Sequence, residues 1–169
     1  MASENSLLQY DILGYIKTLD QLEDFSLGID NVLSGLFTAT NKNIEEILDK
    51  TVGKSTADVL RKLIVENKID SSDFSSLEKL LNELKEELKK VKVLKISLAI
   101  DPSKERIEHI FDWVRENLGK EIVLDIDKDE SILAGAIISF NGRYKDFSLR
   151  RNLGEIFKNK KAEIMNFAK

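Results

Sequence analysis

Near residue 91 the spacing of apolar residues changes from steps of three and four to steps of two, and that change limits the fold more than any other feature of the chain. Such a chain builds helices first and strands afterwards, in two differently constructed parts. Before the change, Leu7, Leu8, Ile12, Tyr15, Ile16, Leu19 and Leu22 form one helical stripe. A second stripe holds Ile29, Val32, Leu33, Leu36 and Phe37, with Ser26 or Asp30 as its cap and Gly28 and Gly35 weakening it. Asn41 or Asn43 caps a short third helix with Ile44, Ile47 and Leu48, ended by Gly53. Ser55 opens a fourth through Val59, Leu60, Leu63 and Ile64. After Ser71-Ser72-Asp73 a fifth carries Leu77, Leu80, Leu81, Leu84 and Leu88 on a Lys/Glu-rich background. Short links between amphipathic helices predict an antiparallel bundle over residues 1–90.

After the change, Leu94 to Ile100 alternates as a half-buried strand. Asp101-Pro102 reads as an N-cap followed by proline at the first helical position. The helix that follows presents Ile107, Ile110, Phe111, Val114 and Leu118, and Gly119 ends it. Ile122, Leu124 and Ile126 alternate again, which makes a β-α-β unit with parallel strands. A further strand covers about Ile132 to Phe140, and Asn141-Gly142 is a strong hairpin signal because both positions tolerate positive φ. Arg143 to Phe147 returns, and Ser148 caps a terminal helix with Leu149, Leu153, Ile156, Phe157, Ile164 and Phe167. The predicted class is α+β: a helical bundle (1–90) followed by a small mixed α/β domain (91–169) of order β-α-β-β-β-α.

Charge divides along the same line. Residues 1–90 hold 11 basic and 17 acidic side chains, and residues 91–169 hold 15 and 13, so the first part is net −6 and the second net +2. Two parts of opposite sign predict two different partners. Cysteine is absent and His109 is the single histidine, which excludes disulfides and thiolate or His-rich metal sites. No run reaches the roughly 20 apolar residues of a membrane helix. Glu4 and Asp11, without an early basic residue or apolar run, are unlike a secretion signal or a basic targeting peptide, so a soluble intracellular bacterial protein is expected.

Several stretches carry a family resemblance when taken in order. Asp129-Glu130-Ser131-Ile132-Leu133-Ala134-Gly135 is followed, without a gap, by Asp146-Phe147-Ser148-Leu149-Arg150. Upstream lie Val93 to Pro102, Leu118-Gly119-Lys120-Glu121-Ile122 and the helix Val59 to Ile69. Together these resemble the delta subunit of F-type ATP synthases, the family of the mitochondrial oligomycin-sensitivity-conferring protein. Glu130 stands where that family has Pro, Phe147 where it has Gly, and Lys68 where it has Arg. The resemblance covers about residues 59–153, and the Arg-Tyr-Ala opening usual in the family is missing.

The resemblance implies a non-catalytic peripheral-stalk (stator) subunit without cofactors. Its helical domain is expected to bind the amino-terminal helices of alpha subunits, and its small domain the carboxyl-terminal helices of the b subunits. Nucleic acid is not an expected partner, and membrane association, at the cytoplasmic face of a bacterial plasma membrane, comes only through the complex. Asp129, Ser131, Gly135, Asp146 and Ser148 are then structural signature residues, and Leu19, Leu33, Leu36 and Phe37 are expected to line a partner groove.

The residues themselves favour plain roles elsewhere. Ala134-Gly135 enters a strand, so close backbone packing is expected there and not a phosphate cradle. Asp125, Asp127, Asp129 and Glu130 lack Ca2+-loop spacing and read as a solvated strand end. His109 reads as an ordinary helix residue, and Trp113 as either a core edge or an interface anchor. The basic cluster Lys158, Lys160 and Lys161 supports the rival reading, a helical adaptor that binds nucleic acid or another protein through a basic terminal helix.

Overall fold

The computed structural model describes residues 12–38, 43–149, 151, 153 and 154. Among them are five α-helices and four strands: α1 (Leu19–Thr38), α2 (Ile44–Thr51), α3 (Lys54–Glu66), α4 (Phe74–Leu88), β1 (Lys92–Leu98), α5 (Lys104–Asn117), β2 (Ile122–Lys128), β3 (Ala136–Phe140) and β4 (Arg143–Asp146). The chain divides into two compact units, Met1–Lys92 with Gly119–Val123, and Val93–Leu118 with Leu124–Lys169.

In the helical unit the first two predicted stripes are corrected. Ile12–Gly14 is a single 3-10 turn, and α1 begins only at Leu19, joining Leu19 and Leu22 to the second stripe. The reason is a capping box. Thr18 Oγ1 accepts from the Gln21 N–H at 3.4 Å, and Gln21 Oε1 accepts from the Lys17 and Thr18 N–H groups at 2.8 and 3.4 Å. Ser26 and Asp30 therefore lie inside α1 and cap nothing. Asn43 caps α2 by accepting from the Glu45 N–H, and Asp73 caps α4 by accepting from the Ser76 N–H. α3 starts at Lys54, one residue before the predicted Ser55, with Gly53 as its N-cap.

One apolar core unites these helices. Phe25, Ile29, Val32 and Leu36 of α1 meet Ile44, Ile47 and Leu48 of α2, Leu60 and Leu63 of α3, and Leu77, Leu81 and Leu84 of α4, with Ile12, Leu13, Ile16 and Val123 completing it. Each fully buried side chain of this kind stabilises the fold by about 1.5–3 kcal/mol. Gly28 and Gly35 set how closely the helices approach: a Cβ on Gly28 would sit 2.6 Å from Thr56 Cγ2, and one on Gly35 2.7 Å from Ile47 Cγ2.

The four strands form one sheet of order β2-β1-β3-β4. The Lys92 N–H donates to the Glu121 carbonyl where β1 and β2 begin, and the Asp129 N–H to the Leu98 carbonyl where they end, so the two strands run the same way. β3 is antiparallel to both β1 and β4. Leu94, Ile96, Leu124, Phe111, Val114 and Ile132 are buried, while Lys95, Ser97, Ser139 and Tyr144 share the opposite, polar sheet face by register. The hairpin turn falls on Asn141 (φ 49°) and Gly142 (φ 73°), the positive pair that a two-residue turn requires.

Three boundaries differ from the sequence expectation. The cap of α5 is Ser103, which accepts from the Arg106 N–H, so Asp101-Pro102 precedes the cap. β1 ends at Leu98, leaving Ile100 exposed. β3 begins at Ala136, not Ile132, because Gly135 at φ +93° cannot continue an extended strand. Of the predicted terminal helix, Ile156, Phe157, Ile164 and Phe167 lie outside the described residues, as do Leu7 and Leu8.

Gly28→Ala should destabilise the chain by about 1 kcal/mol, because overpacking outweighs the helix-propensity gain. The same change in a Thr56→Ser background, which removes the opposing methyl, should cost clearly less. Chemical denaturation of the four-variant cycle measures this; a Gly28→Ala protein more stable than the wild type would contradict the packing described.

Candidate partner-binding surfaces

α1 carries two seams at steps of three and four. The inner one, Leu22, Phe25, Ile29, Val32 and Leu36, lies in or against the core. The outer one runs Leu19, Glu23, Leu27, Asp30, Ser34 and Phe37. This geometry separates the four predicted groove residues. Leu36 belongs to the inner seam, within the core, and is only 9% exposed. Leu33 is half-buried and packs against the core, and Leu19 is half-buried. Phe37 stands out in solvent at 73% exposure. Leu27, 61% exposed, shares the outer seam with Leu19 and Phe37; its distance of eight residues from Leu19 along the same helical period is the sequence signal for it. Asp30 is held by an ion pair with Lys85 of α4.

In the sheet unit the five predicted signature residues lie in the segment between β2 and β3 and at and just beyond the end of β4. Asp129 Oδ1 accepts from the Ser131 N–H at 2.8 Å, and the turn is closed by the Ile132 N–H on the Asp129 carbonyl at 3.1 Å. Hydrogen bonds from Ser131, first its side chain and then its backbone, hold the Asp129 carboxyl below the usual carboxylate range. Gly135 lies beneath the chain leaving β4: a Cβ there would sit within 2.4 Å of the Phe147 carbonyl oxygen and 3.1 Å of Ser148 Cα. The Phe147 and Leu149 N–H groups donate to the Ala136 and Ala134 carbonyls, pairing the two passages. Asp146 Oδ1 accepts from the Ser148 N–H at 2.7 Å, and the Ser148 hydroxyl, 3% exposed, accepts from the Arg151 N–H at 3.4 Å. These hydrogen bonds fix backbone.

The remaining candidates separate in the same way. Lys95 Nζ lies 3.5 Å from Asp125 and 3.6 Å from Asp127, so a lysine stands between these two carboxylates. Among the described residues no three potential ligands converge on a metal position. Trp113 is 57% exposed on α5, which places it outside the core, and His109 is exposed on the same helix. Lys158, Lys160 and Lys161 lie outside the described residues.

The helical unit thus carries an exposed outer seam on α1, and in the sheet unit the hydrogen bonds of Asp129, Asp146 and Ser148 serve local turns. A family model described as "ATP synthase delta (OSCP) subunit" matches residues 17–159, and the chain belongs to that family. Members of the family are structural, non-catalytic subunits of the ATP synthase complex. ATP synthase subunit delta of Thermosipho africanus is 33% identical over 66 residues, 39% of this chain and 36% of the relative. The sodium-ion-specific ATP synthase subunit delta of Propionigenium modestum is 34% identical over 58 residues, 34% of this chain and 33% of the relative. These alignments span about a third of the length of the curated relatives. A chain of the mitochondrial ATP synthase hexamer of Toxoplasma gondii aligns over 82% of this chain and 87% of its own length, with a TM-score of 0.34 and 17% identity.

Gly135→Ala should destabilise the protein by roughly 1–3 kcal/mol, since it combines a positive φ with a backbone clash. Thermal unfolding reads the loss, and an unchanged melting temperature would contradict the close approach. Ser131→Ala should raise the Asp129 pKa towards the ordinary value, followed by carboxyl NMR titration. Because the folded-state value lies below the unfolded one, the stability this carboxylate contributes is intact above about pH 4 and is lost as the pH falls through the folded-state value.

Proposed function

We propose that the chain is the delta subunit of an ATP synthase peripheral stalk, a stator part that joins the catalytic head to the b subunits. In this reading the helical unit receives the amino-terminal helices of alpha subunits and the sheet unit receives the carboxyl-terminal helices of b. The complex then sits at the cytoplasmic face of a bacterial plasma membrane, and this subunit is peripheral to it. No helix among the described residues is long and apolar enough to cross a membrane.

The observation that carries the reading is family membership over residues 17–159, a span that draws on both units. The physical task is mechanical. Ion flow turns the rotor, and the head makes ATP only while it is kept from turning with it. A stator subunit therefore needs attachment to two partners and no reacting group. Helix-in-groove recognition supplies such attachment through buried apolar anchors, and on α1 the residues available for it are Leu19, Leu27, Leu33 and Phe37.

The full chain should co-purify with an assembled head and with the soluble part of b when all are expressed together. Phe37→Gln should weaken capture of the head about tenfold while leaving capture of b unchanged. A chain that elutes apart from both partners would overturn the assignment.

A further inference from the structure

We infer that the helix received by α1 is a basic amphipathic one, whose Lys or Arg side chains face Asp20, Glu23 and Asp24 and whose bulky apolar residues cover Leu27 and Phe37. The inference rests on the stator reading only for the name of the partner. Its chemistry follows from α1 itself.

α1 is a 20-residue helix with four acidic side chains, Asp20, Glu23, Asp24 and Asp30, and no basic one. Asp30 is already matched by Lys85. Asp20, Glu23 and Asp24 carry no ion pair among the described residues. They cluster in the first half of the helix, where the positive end of the helix dipole favours them. Leu27 lies one turn beyond Glu23 on the outer seam, and Phe37 ends that seam ten residues further on.

The outer seam thus repeats the spacing of the inner one, with apolar residues at Leu19, Leu27 and Phe37 and polar ones between them. Steps of three and four residues are the geometry in which one helix seats its side chains between those of another. An acidic partner would bring like charges together at Glu23 and beside the seam at Asp20 and Asp24, and an uncharged one would leave all three unmatched. A basic flank satisfies them, while apolar anchors supply the buried area. Such an interface is steered by charge at long range and weakened by salt.

The test uses the full chain and synthetic amino-terminal peptides of the alpha subunit from the same organism, read by fluorescence anisotropy. The wild-type peptide should bind, and its affinity should fall at least tenfold when salt is raised from about 0.05 to about 0.5 M. Replacing the peptide's Lys and Arg by Glu should abolish binding without any change to the protein. Glu23→Lys with Asp24→Lys should weaken the wild-type peptide at least tenfold and restore the charge-reversed one. Binding that ignores salt, peptide reversal and the double variant overturns the inference, as do NMR shifts that avoid α1. If the alpha peptide fails while a designed Lys/Leu amphipathic helix binds at α1 with this salt dependence, the inference stands and the alpha assignment falls.

Discussion

α1 packs mainly against α2 and α4 and touches α3 less extensively, and it does so because its inner face is both apolar and, at Gly28 and Gly35, empty of side chain. Those glycines are seven residues apart, so they recur on one face two turns apart. The 2.6 and 2.7 Å approaches to Thr56 and Ile47 leave no space for a methyl group. The rest of the helical unit follows. α2 and α3 lie close enough for Arg61 of α3 to reach Glu45 at 2.8 Å and Asp49 at 2.6 Å on α2. Those bonds raise the Arg61 pKa above its ordinary value, yet an ion-pair cluster this exposed adds little to stability. It orients two helices that the apolar core has already brought together.

The elements whose signal is local were legible in the sequence. Steps of three and four gave the seams of α2, α3 and α4, alternation gave β1 and β2, and Asn141-Gly142 gave the hairpin. Boundaries set by hydrogen bonds between a side chain and the backbone were harder. Thr18 and Gln21 form a capping box that the longer apolar stripe from Leu7 to Leu22 concealed. Ser103 caps α5 although Asp101-Pro102 offered the stronger pattern. Gly28 and Gly35 looked like weaknesses because propensity is a property of one helix, whereas their use lies between helices. Gly135 was rightly expected to permit a close approach. Its positive φ, which delays β3 by four residues, was not visible.

For the candidate surface the limit was different. Periodicity predicts that a residue is apolar and facing somewhere, without saying which of two apolar seams faces the core. Leu33, Leu36 and Phe37 are neighbours in sequence, and one is half-buried, one is in the core and one is in solvent. Only the packed helices distinguish them. Leu27 was overlooked for the same reason, because an isolated exposed leucine is common on any protein surface and becomes informative only in line with Leu19 and Phe37.

Placing the core seam and the outer seam on one helix has a mechanical consequence. On the proposed reading, a load applied through a partner on Leu27 and Phe37 would pass into α1 and from there into Ile29, Val32 and Leu36 without crossing a loop. Loops yield because few buried contacts hold them, whereas a helix wedged among three others moves only if close-packed side chains are displaced together. The glycines that let α1 sit so tightly are therefore part of what makes it a firm seat. The acidic residues on its outer face cost little in the isolated chain, because Asp20, Glu23 and Asp24 are all solvated. On the proposed reading, tight packing on one side and solvated charge on the other would let a single helix serve stability and recognition with different residues.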